Sequence, residues 1–229
     1  METLHNGFTL SLSEGAFPLS TDSIALGGFV QLKKDARVLD LGSGCGTLGL
    51  LLCAKEDTCH VTGIELDQKA HKMALQNAKA NGLDARLTSI CADVKCLSNE
   101  ITPGSFHCCV SNPPYYSAGP QSQKTPLARR DDRLPMEDLF RAAARFLRYG
   151  GDFYLVHKPE LLAQICALGS ANSLEPKKLC LLRHKEGGPV SLILVHMKKG
   201  GKPGLIWQEE ALHYADGSLT PYYKNLYHI

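Results

Sequence analysis

The six-residue segment SNPPYY, at 111–116, combines an amide, a double proline and aromatic rings. Two consecutive prolines cannot lie inside a helix or a central strand, because each lacks a backbone N–H and has a fixed φ. The prolines keep their carbonyl acceptors, and the side chain of Asn112 adds another. Tyr115 follows with a flat ring. The segment therefore predicts a rigid loop that holds hydrogen-bond acceptors beside a surface for stacking.

A second segment, VLDLGSGCGTLG at 38–49, carries Gly42, Gly44 and Gly46 between a predicted strand and a predicted helix. Glycines at such a turn let the chain reverse sharply and let a ligand approach the backbone closely. Glu65 closes the next predicted strand, roughly twenty residues on, where an acid can bind the hydroxyls of a ribose. This arrangement predicts a site for a cofactor that contains a nucleoside.

The acids near this loop discriminate between cofactors. The spacing DxGxGxG differs from the GxGxxG of dinucleotide sites, and Asp40 beside it would repel a pyrophosphate. The same carboxylate favours a cationic ligand with an amino-acid end, such as S-adenosylmethionine. Asp93, at the end of the third predicted strand, is placed to accept from an adenine amino group. Each acid alone is equally consistent with a strand-end cap, but three acids after successive strands favour ligand binding.

Alternating strand and helix patterns predict the fold that positions these residues. Short apolar runs indicate buried parallel strands, and capped segments of helical periodicity separate them. The alternation implies an α/β fold, a mostly parallel sheet with helices on both faces. Two β runs around a Gly-Gly-Pro turn at 177–200 add an antiparallel hairpin. Predicted strands cover 36–42, 60–66, 85–93, 106–112 and 151–157, and predicted helices cover 20–30, 46–56, 67–82, 136–151 and 159–172.

Composition and cysteine usage narrow the class of protein. The chain has 229 residues, 44% of them hydrophobic, and a formal net charge of +2, which permits a polyanionic partner without indicating one. Nine cysteines occur without a CxxC spacing, and the chain shows neither a secretory signal nor a stretch as long as a transmembrane helix. We therefore expect a reduced, cytoplasmic protein without a metal site, whose cysteines mostly pack as small hydrophobic residues.

The motifs DLGSGCG, GIEL, CAD and SNPPYY occur in the order and at the spacings that resemble class I S-adenosylmethionine-dependent methyltransferases. The Asn-Pro-Pro-Tyr signature is typical of members that methylate a planar, conjugated amino group: adenine N6, some guanine amino groups or one glutamine side chain. From about Phe8 to Tyr222 the chain is also similar to the tRNA1(Val) (adenine(37)-N6)-methyltransferase family, notably in segments 17–30, 128–165 and 174–223.

This resemblance implies a Rossmann-like, mostly parallel sheet of seven strands with helices on both faces and the C-terminal hairpin. It also implies one methyltransferase domain over 1–229. Within that domain, we expect an N-terminal segment at 1–35, a catalytic core at 36–197 and a C-terminal tail at 198–229.

The resemblance also implies roles for individual residues. The lone pair of an exocyclic amine is delocalised into the ring, so the nitrogen is a poor nucleophile. The side-chain oxygen of Asn112 and the carbonyl of Pro113 are expected to accept its two hydrogens and aim the lone pair at the methyl group. No strong base is needed, because the methylated ammonium loses its proton to water. Cofactor binding falls to Asp40, Gly42, Gly44, Gly46, Glu65, Leu66, Asp93 and Asn112, and catalysis to Asn112, Pro113, Pro114 and Tyr115.

The expected partner is tRNA, with no membrane and no metal; the oligomeric state is open, with a monomer slightly favoured. If two basic clusters lie near the carboxyl edge of the sheet, they can hold phosphates while the adenine is turned out. Each cluster is equally consistent with ordinary solvated side chains that bind no RNA. Asp131 and Asp132 reduce the net positive charge of the first cluster. The clusters are Lys124, Arg129, Arg130 and Arg133 after the signature, and Lys198, Lys199 and Lys202 after the hairpin.

Other functions stay open. A glutamine methyltransferase for peptide release factors shares the signature but carries a helical domain where this chain has only residues 1–35. A DNA adenine methyltransferase would bring a separate target-recognition domain. A non-catalytic RNA-binding module of the same fold has no need of both Asn112 and Tyr115. A nicotinamide oxidoreductase requires a loop that tolerates a pyrophosphate next to Asp40.

Overall fold

The computed structural model describes residues 2–4, 7–12, 19–97, 101–114 and 134–228. A two-stranded antiparallel sheet comprises β1 (Glu2–Thr3) and β2 (Thr9–Leu10). The main sheet comprises β3 (Arg37–Leu41), β4 (His60–Glu65), β5 (Leu87–Cys91), β6 (Phe106–Ser111), β7 (Leu147–His157), β8 (Leu174–Lys185), β9 (Val190–Lys199) and β10 (Ile206–His213). The α-helices are α1 (Thr21–Phe29), α2 (Thr47–Lys55), α3 (Gln68–Ala80), α4 (Met136–Phe146), α5 (Leu162–Ala171) and α6 (Pro221–Tyr227).

The main sheet has the strand order β10-β8-β9-β7-β6-β3-β4-β5. Neighbouring strands are parallel except for β9, which runs antiparallel to both β7 and β8. The predicted Rossmann-like architecture with a closing hairpin is therefore confirmed. Because only β9 is reversed, the carboxyl ends of the seven other strands of the main sheet all lie at one edge, called the carboxyl edge below.

The predicted count of seven strands is wrong, because the tail contributes β10 as an eighth. This strand pairs in parallel with β8, from Ile206 opposite Lys178 to His213 opposite Lys185. It lies at the border of the sheet, and of its apolar side chains only Leu212 is buried. An edge strand of this kind lacks the strong apolar run by which the buried strands are recognised in the sequence.

The predicted helix at 136–151 is also too long. The helix ends at Phe146, and β7 begins at Leu147 without an intervening loop. Gly150 has a φ of +72°, and a Cβ on Gly151 would lie 3.1 Å from the carbonyl oxygen of His107. The two glycines therefore lie in a strand whose register against β6 is irregular, and not at the C-terminus of a helix.

Two hydrophobic clusters cover the two faces of the sheet. Helices α1, α2, α3 and α6 contribute to one, with Leu26 and Leu226 among its buried members. Helices α4 and α5 contribute to the other, with Phe140 and Ile165 among its buried members. Each fully buried side chain of this size stabilises the fold by about 1.5–3 kcal/mol. Helices on both faces of the sheet are thus confirmed.

The helix α1 is fixed at both ends. Ser20 caps its N-terminus, where its Oγ accepts from the backbone N–H of Ser23 at 3.3 Å. At the other end, Nζ of Lys55 donates to the carbonyl oxygens of Gly27, Gly28 and Val30. A cation at a helix C-terminus satisfies carbonyls that lack intrahelical partners and complements the helix dipole. The first turn of α1 therefore has a well-defined position at the carboxyl edge.

All nine cysteines are free, and six of them are buried, as expected for small hydrophobic residues. Within the described ranges, no group of three or more His, Cys, Asp or Glu side chains is arranged to hold a metal ion. No helix in the part of the chain that the structure describes is long and apolar enough to cross a membrane.

Candidate active site

The predicted cofactor residues converge at the carboxyl edge, around the end of β3. In the sheet, Asp40 lies opposite Gly63 of β4 on one side and Val110 of β6 on the other. Glu65 ends β4. Asn112 directly follows β6. The strand after which the glycine loop begins therefore lies between the strands that deliver the ribose-binding candidate and the catalytic candidate.

Glu65 holds the glycine loop in place. One oxygen of its carboxylate accepts from the backbone N–H of Gly44 at 2.8 Å, and the other accepts from the backbone N–H of Asp67 at 2.7 Å. A carboxylate oxygen has more than one lone pair, so each can still accept from a hydroxyl. Glu65 is thus held in one orientation and keeps acceptor capacity for a ligand hydroxyl.

The glycine loop has one tightly packed side and one open side. Gly44 has a φ of +55°, and a Cβ built there would meet no described atom within 4 Å. Ser43 packs in the opposite direction, against β4, where a Cβ on Gly63 would lie 2.5 Å from its Oγ. The loop therefore presents bare backbone to a ligand while Ser43 anchors it to the sheet.

Asp40 is the most unusual group at this edge. Its side chain is 1% exposed, and neither carboxylate oxygen has a hydrogen-bond partner among the residues that the structure describes. Burial, and to a lesser extent the charge of Glu65, raise its pKa from 3.8 to about 8. A buried carboxylate is costly unless it is paired, so the site fits a ligand that carries a positive charge. The buried carboxylate beside the glycine loop is thus suited to a cationic cofactor with an amino-acid end.

Two predicted cofactor residues lie after β4 and β5: Leu66, and Asp93, which was expected to bind the adenine amino group. Asp93 is half-buried and caps a 3-10 turn, Val94–Cys96, by accepting from the backbone N–H of Lys95 at 2.9 Å. Leu66, next to Glu65, is 44% exposed, which is unusual for a leucine beside a buried strand. An exposed apolar side chain and a nearby carboxylate are the two features that an adenine ring needs for contact with its face and its amino group.

Asn112 is oriented by α1. Its Nδ2 donates to Oγ of Ser23 at 3.0 Å, and Ser23 is itself buried at 8% exposure. Pro113 is buried and Pro114 is half-buried. Ser111, one residue earlier, donates from Oγ to the carbonyl oxygen of Leu41 at 2.7 Å and so joins the ends of β6 and β3. Tyr115 and Tyr116 lie outside the described residues.

Three positioning residues escaped the sequence analysis: Ser23, Ser111 and Asn77. Asn77 lies on α3 with 2% exposure, where its Nδ2 donates to the carbonyl oxygen of Cys45, inside the glycine loop, at 2.9 Å. The same side chain binds both backbone groups of Ser11, with Oδ1 accepting and Nδ2 donating. For Asn77, the sequence did carry a signal, because its amide falls within the apolar stripe of an amphipathic helix. An unpaired amide is unfavourable there, so a hydrogen-bond partner could have been expected.

The second basic cluster lies at the opposite edge of the sheet. Lys198 lies at the end of the reversed strand β9, opposite Asp152 of β7, and its Nζ donates to that carboxylate at 2.7 Å. Burial alone would raise the pKa of Asp152, but hydrogen bonds from His196 and Lys198 lower it. Lys199 donates to the carbonyl oxygen of Leu147 at 2.8 Å. Because the RNA role of Lys198, Lys199 and Lys202 depended on the carboxyl edge, we do not include them in the proposed interface.

The first basic cluster, Lys124, Arg129, Arg130 and Arg133, lies outside the described residues. It follows Pro114, which is at the carboxyl edge, so its RNA role stays a prediction.

Solved structures show the same fold. A structure of a predicted O-methyltransferase, protein Atu636 from Agrobacterium tumefaciens, superposes with a TM-score of 0.76 at 22% identity and covers 91% of this chain and 96% of that one. A geranyl diphosphate methyltransferase in complex with SAM superposes with a TM-score of 0.54 at 14% identity, over 77% and 84% of the two chains. The fold is therefore that of Rossmann-like methyltransferases.

Sequence comparisons identify the family. The family model described as methyltransferase small domain matches residues 24–170. The tRNA1(Val) (adenine(37)-N6)-methyltransferase of Shewanella halifaxensis is 32% identical over 76% of this chain and 70% of its own length. The enzyme of the same name from Aeromonas hydrophila is 30% identical over 92% and 89%. The chain belongs to the methyltransferase small domain family and, within it, to the tRNA1(Val) (adenine(37)-N6)-methyltransferase family.

Proposed function

We propose that this protein methylates N6 of an adenosine in tRNA, at position 37 of tRNA1(Val), with S-adenosylmethionine as the methyl donor. The observation that supports the proposal most directly is that two features lie together at the carboxyl edge of the sheet. The buried carboxylate of Asp40 lacks a described partner, and the amide of Asn112 is held in one orientation by Ser23. The carboxylate of Asp40 suits a cationic cofactor. The oriented amide of Asn112 suits an amino group whose hydrogens must be bound. Family membership supports the same activity.

The cofactor would be held by residues of the glycine loop and the neighbouring strand ends. When bound, S-adenosylmethionine supplies an electrophilic methyl group. Asp40 would face its cationic amino-acid end, and the open side of Gly44 would let it approach the loop. Gly42 and Gly46 pack instead against Leu134 and Ala74, and their positive φ values shape the turn. Glu65 accepts from the ribose hydroxyls while it continues to hold Gly44. Asp93 and Leu66 contact the adenine through its amino group and its face.

Asn112 and Pro113 act on the substrate amine. The side-chain oxygen of Asn112 and the carbonyl oxygen of Pro113 accept its two hydrogens, which draws the nitrogen out of conjugation. Pro114 keeps the two acceptors aligned, so no reorganisation is needed during the reaction. Tyr115 stacks on the flat adenine and adds about 1–3 kcal/mol of binding energy. The proton that leaves the methylated nitrogen goes to water.

The RNA is held by charge outside the pocket. Lys124, Arg129, Arg130 and Arg133 follow the signature loop, and we propose that they bind phosphates on either side of the turned-out adenosine. A tRNA substrate agrees with the cytoplasmic location expected from the sequence.

Mass analysis of nucleosides tests the proposal. Total tRNA incubated with the protein and methyl-labelled cofactor is expected to yield labelled N6-methyladenosine, and a release-factor peptide in a parallel reaction is expected to stay unlabelled. The Asn112→Ala variant serves as the control for contaminating activity. Label in the peptide, or in a guanosine instead of an adenosine, would overturn the proposed substrate.

A further inference from the structure

Four ring side chains form a continuous row at the carboxyl edge: His184, His213, Tyr223 and Tyr227, called the aromatic row below. The centroid of His184 lies 4.9 Å from that of His213, which lies 5.5 Å from that of Tyr223. Tyr223 and Tyr227 stack at 4.3 Å with an angle of 16° between their planes. These separations are within the range of favourable ring contacts.

The aromatic row contacts the helix that orients the candidate catalytic residue. His213 ends β10, and His184 is the penultimate residue of β8, so both lie at the same edge as Asn112. At the other end of the row, Oη of Tyr227 lies 3.3 Å from Oγ1 of Thr21. Thr21 begins α1, two residues before the serine whose Oγ accepts from Asn112.

The rings lie at the border of the hydrophobic core, and Tyr223 and Tyr227 pack against it. His184 is exposed, and the other three rings are half-buried. Helix α6, which carries both tyrosines, is fixed by the buried Leu226 and by Thr220, whose Oγ1 accepts from the backbone N–H of Tyr223 at 3.1 Å. A rigid aromatic surface loses little conformational entropy when a ligand stacks on it.

We propose that the aromatic row stacks the unpaired bases next to the target adenosine, and this inference rests on the proposed function. Extrusion of one base from an RNA loop unstacks its neighbours, and proteins bind splayed bases by stacking them on aromatic rings. The exposed Lys185 and Lys224 flank the row and match the charge of the RNA backbone. Two acids offset this charge: Asp216 lies near Lys185, and the backbone N–H of Glu186 donates to the carbonyl oxygen of His213 at 2.9 Å. The proposal therefore rests on stacking and not on charge.

Position separates the row from two exposed aromatic side chains, whereas Tyr214, at 41% exposure, directly follows His213 at the carboxyl edge. Tyr149, at 80% exposure, and Trp207, at 61%, lie towards the opposite edge, near the starts of β7 and β10. An RNA loop that delivers its adenosine to Asn112 approaches the carboxyl edge and does not reach them. Tyr149→Ala is therefore a matched control that removes an exposed ring from the wrong side.

The test compares three variants, His184→Ala, Tyr223→Leu and Tyr149→Ala. Equilibrium binding and steady-state kinetics are measured for each with tRNA at pH 8. The dissociation constant and the KM for tRNA are expected to rise at least 5-fold for each of the first two variants, as the loss of one stacked base requires. Turnover at saturating tRNA and the dissociation constant for S-adenosylmethionine are expected to stay within 2-fold. The slope of log affinity against log salt should not change at pH 8, because no phosphate-binding charge is lost. Tyr149→Ala should match the wild type, and Tyr223→Phe should restore tRNA affinity.

Each contrary outcome has a distinct meaning. Wild-type protein that methylates no tRNA adenosine would overturn the proposed function. Normal methylation by the wild type, with unchanged KM and dissociation constant for His184→Ala and Tyr223→Leu, would overturn this inference alone. The same holds if the variants change the sedimentation of the free protein but not its affinity for tRNA, since the row would then be a contact between proteins.

Discussion

The side chain of Asn112 donates from Nδ2 to Oγ of Ser23 across 3.0 Å, which joins the loop after β6 to the first turn of α1. The two ends of an amide point in opposite directions, so this bond also fixes the direction of the amide oxygen. The oxygen is the atom that we assign to the substrate amine. Under the proposed function, α1, capped by Ser20 and tied to α2 by Lys55, would therefore set the direction of the amide that binds the substrate amine.

Removal of the Ser23 hydroxyl is expected to slow methyl transfer without weakening cofactor binding. One neutral hydrogen bond is worth about 0.5–1.5 kcal/mol, so kcat of Ser23→Ala should fall roughly 2- to 10-fold. Single-turnover kinetics with tRNA would measure this loss, and calorimetry would measure cofactor affinity. Ser170→Ala, on the exposed side of α5, is the control for a serine that contacts no site residue. A lower cofactor affinity with an unchanged kcat would contradict the positioning role.

Asn112→Ala is expected to abolish transfer while S-adenosylmethionine still binds. The variant removes the acceptor for one amine hydrogen, an interaction that matters most in the transition state. Asn112→Asp keeps acceptor oxygens at the same place, so we expect it to retain more activity than the alanine variant. Methyl transfer and cofactor titration measure the two properties separately. Equal activities for the two variants would show that the acceptor is not what the reaction requires.

The stability of the cofactor-free protein is expected to fall as the pH rises from about 4 to about 8. The pKa of Asp40 is about 8 in the folded protein against an ordinary value of 3.8, so the folded state retains a proton that the unfolded state has lost. This group therefore destabilises the fold by about 1.4 kcal/mol for each pH unit in that window. Asp40→Asn cannot ionise and should flatten the pH dependence of thermal unfolding.

Cofactor binding should show the opposite trend in pH. A cation beside Asp40 favours its ionised form, so the affinity of the wild type for S-adenosylmethionine should increase as the pH rises towards 8. In Asp40→Asn, the affinity should be lower and should lack this trend. A pH-independent affinity in the wild type, measured by calorimetry, would argue that the cofactor's cation lies elsewhere.

Asn77→Ala is expected to destabilise the protein and loosen the glycine loop. It leaves the backbone groups of Ser11 and the carbonyl of Cys45 without their side-chain partner, and each unsatisfied buried group costs about 1–3 kcal/mol. Asn77→Asp keeps the acceptor for Ser11 but turns a buried carboxylate oxygen towards the carbonyl oxygens of Ser11 and Cys45, so its loss in melting temperature should be at least as large. Thermal unfolding with and without cofactor would show whether the loop is affected beyond the general loss of stability.

The sequence predicts the elements that carry strong local signals and misses those that depend on tertiary contacts. Glycine spacing and strand-end acids predicted the site because parallel strands bring their carboxyl ends to one edge. Gly150 was assigned to a helix C-terminus because glycine has the same backbone freedom there as in a strand irregularity. Ser23 and Ser111 were missed, since a small hydroxyl carries no pattern until its partner is in place. Lys198 joined a basic cluster in the sequence, but the strand direction puts it at the wrong edge.

Methyl transfer to paired tRNA1(Val) transcripts that differ only at position 37 tests the central claim most directly. For the transcript with adenosine at that position, we predict one labelled methyl group from S-adenosylmethionine, recovered as N6-methyladenosine. For the transcript with guanosine there, we predict no label. Equal labelling of the two transcripts, or label at another nucleoside, would contradict it.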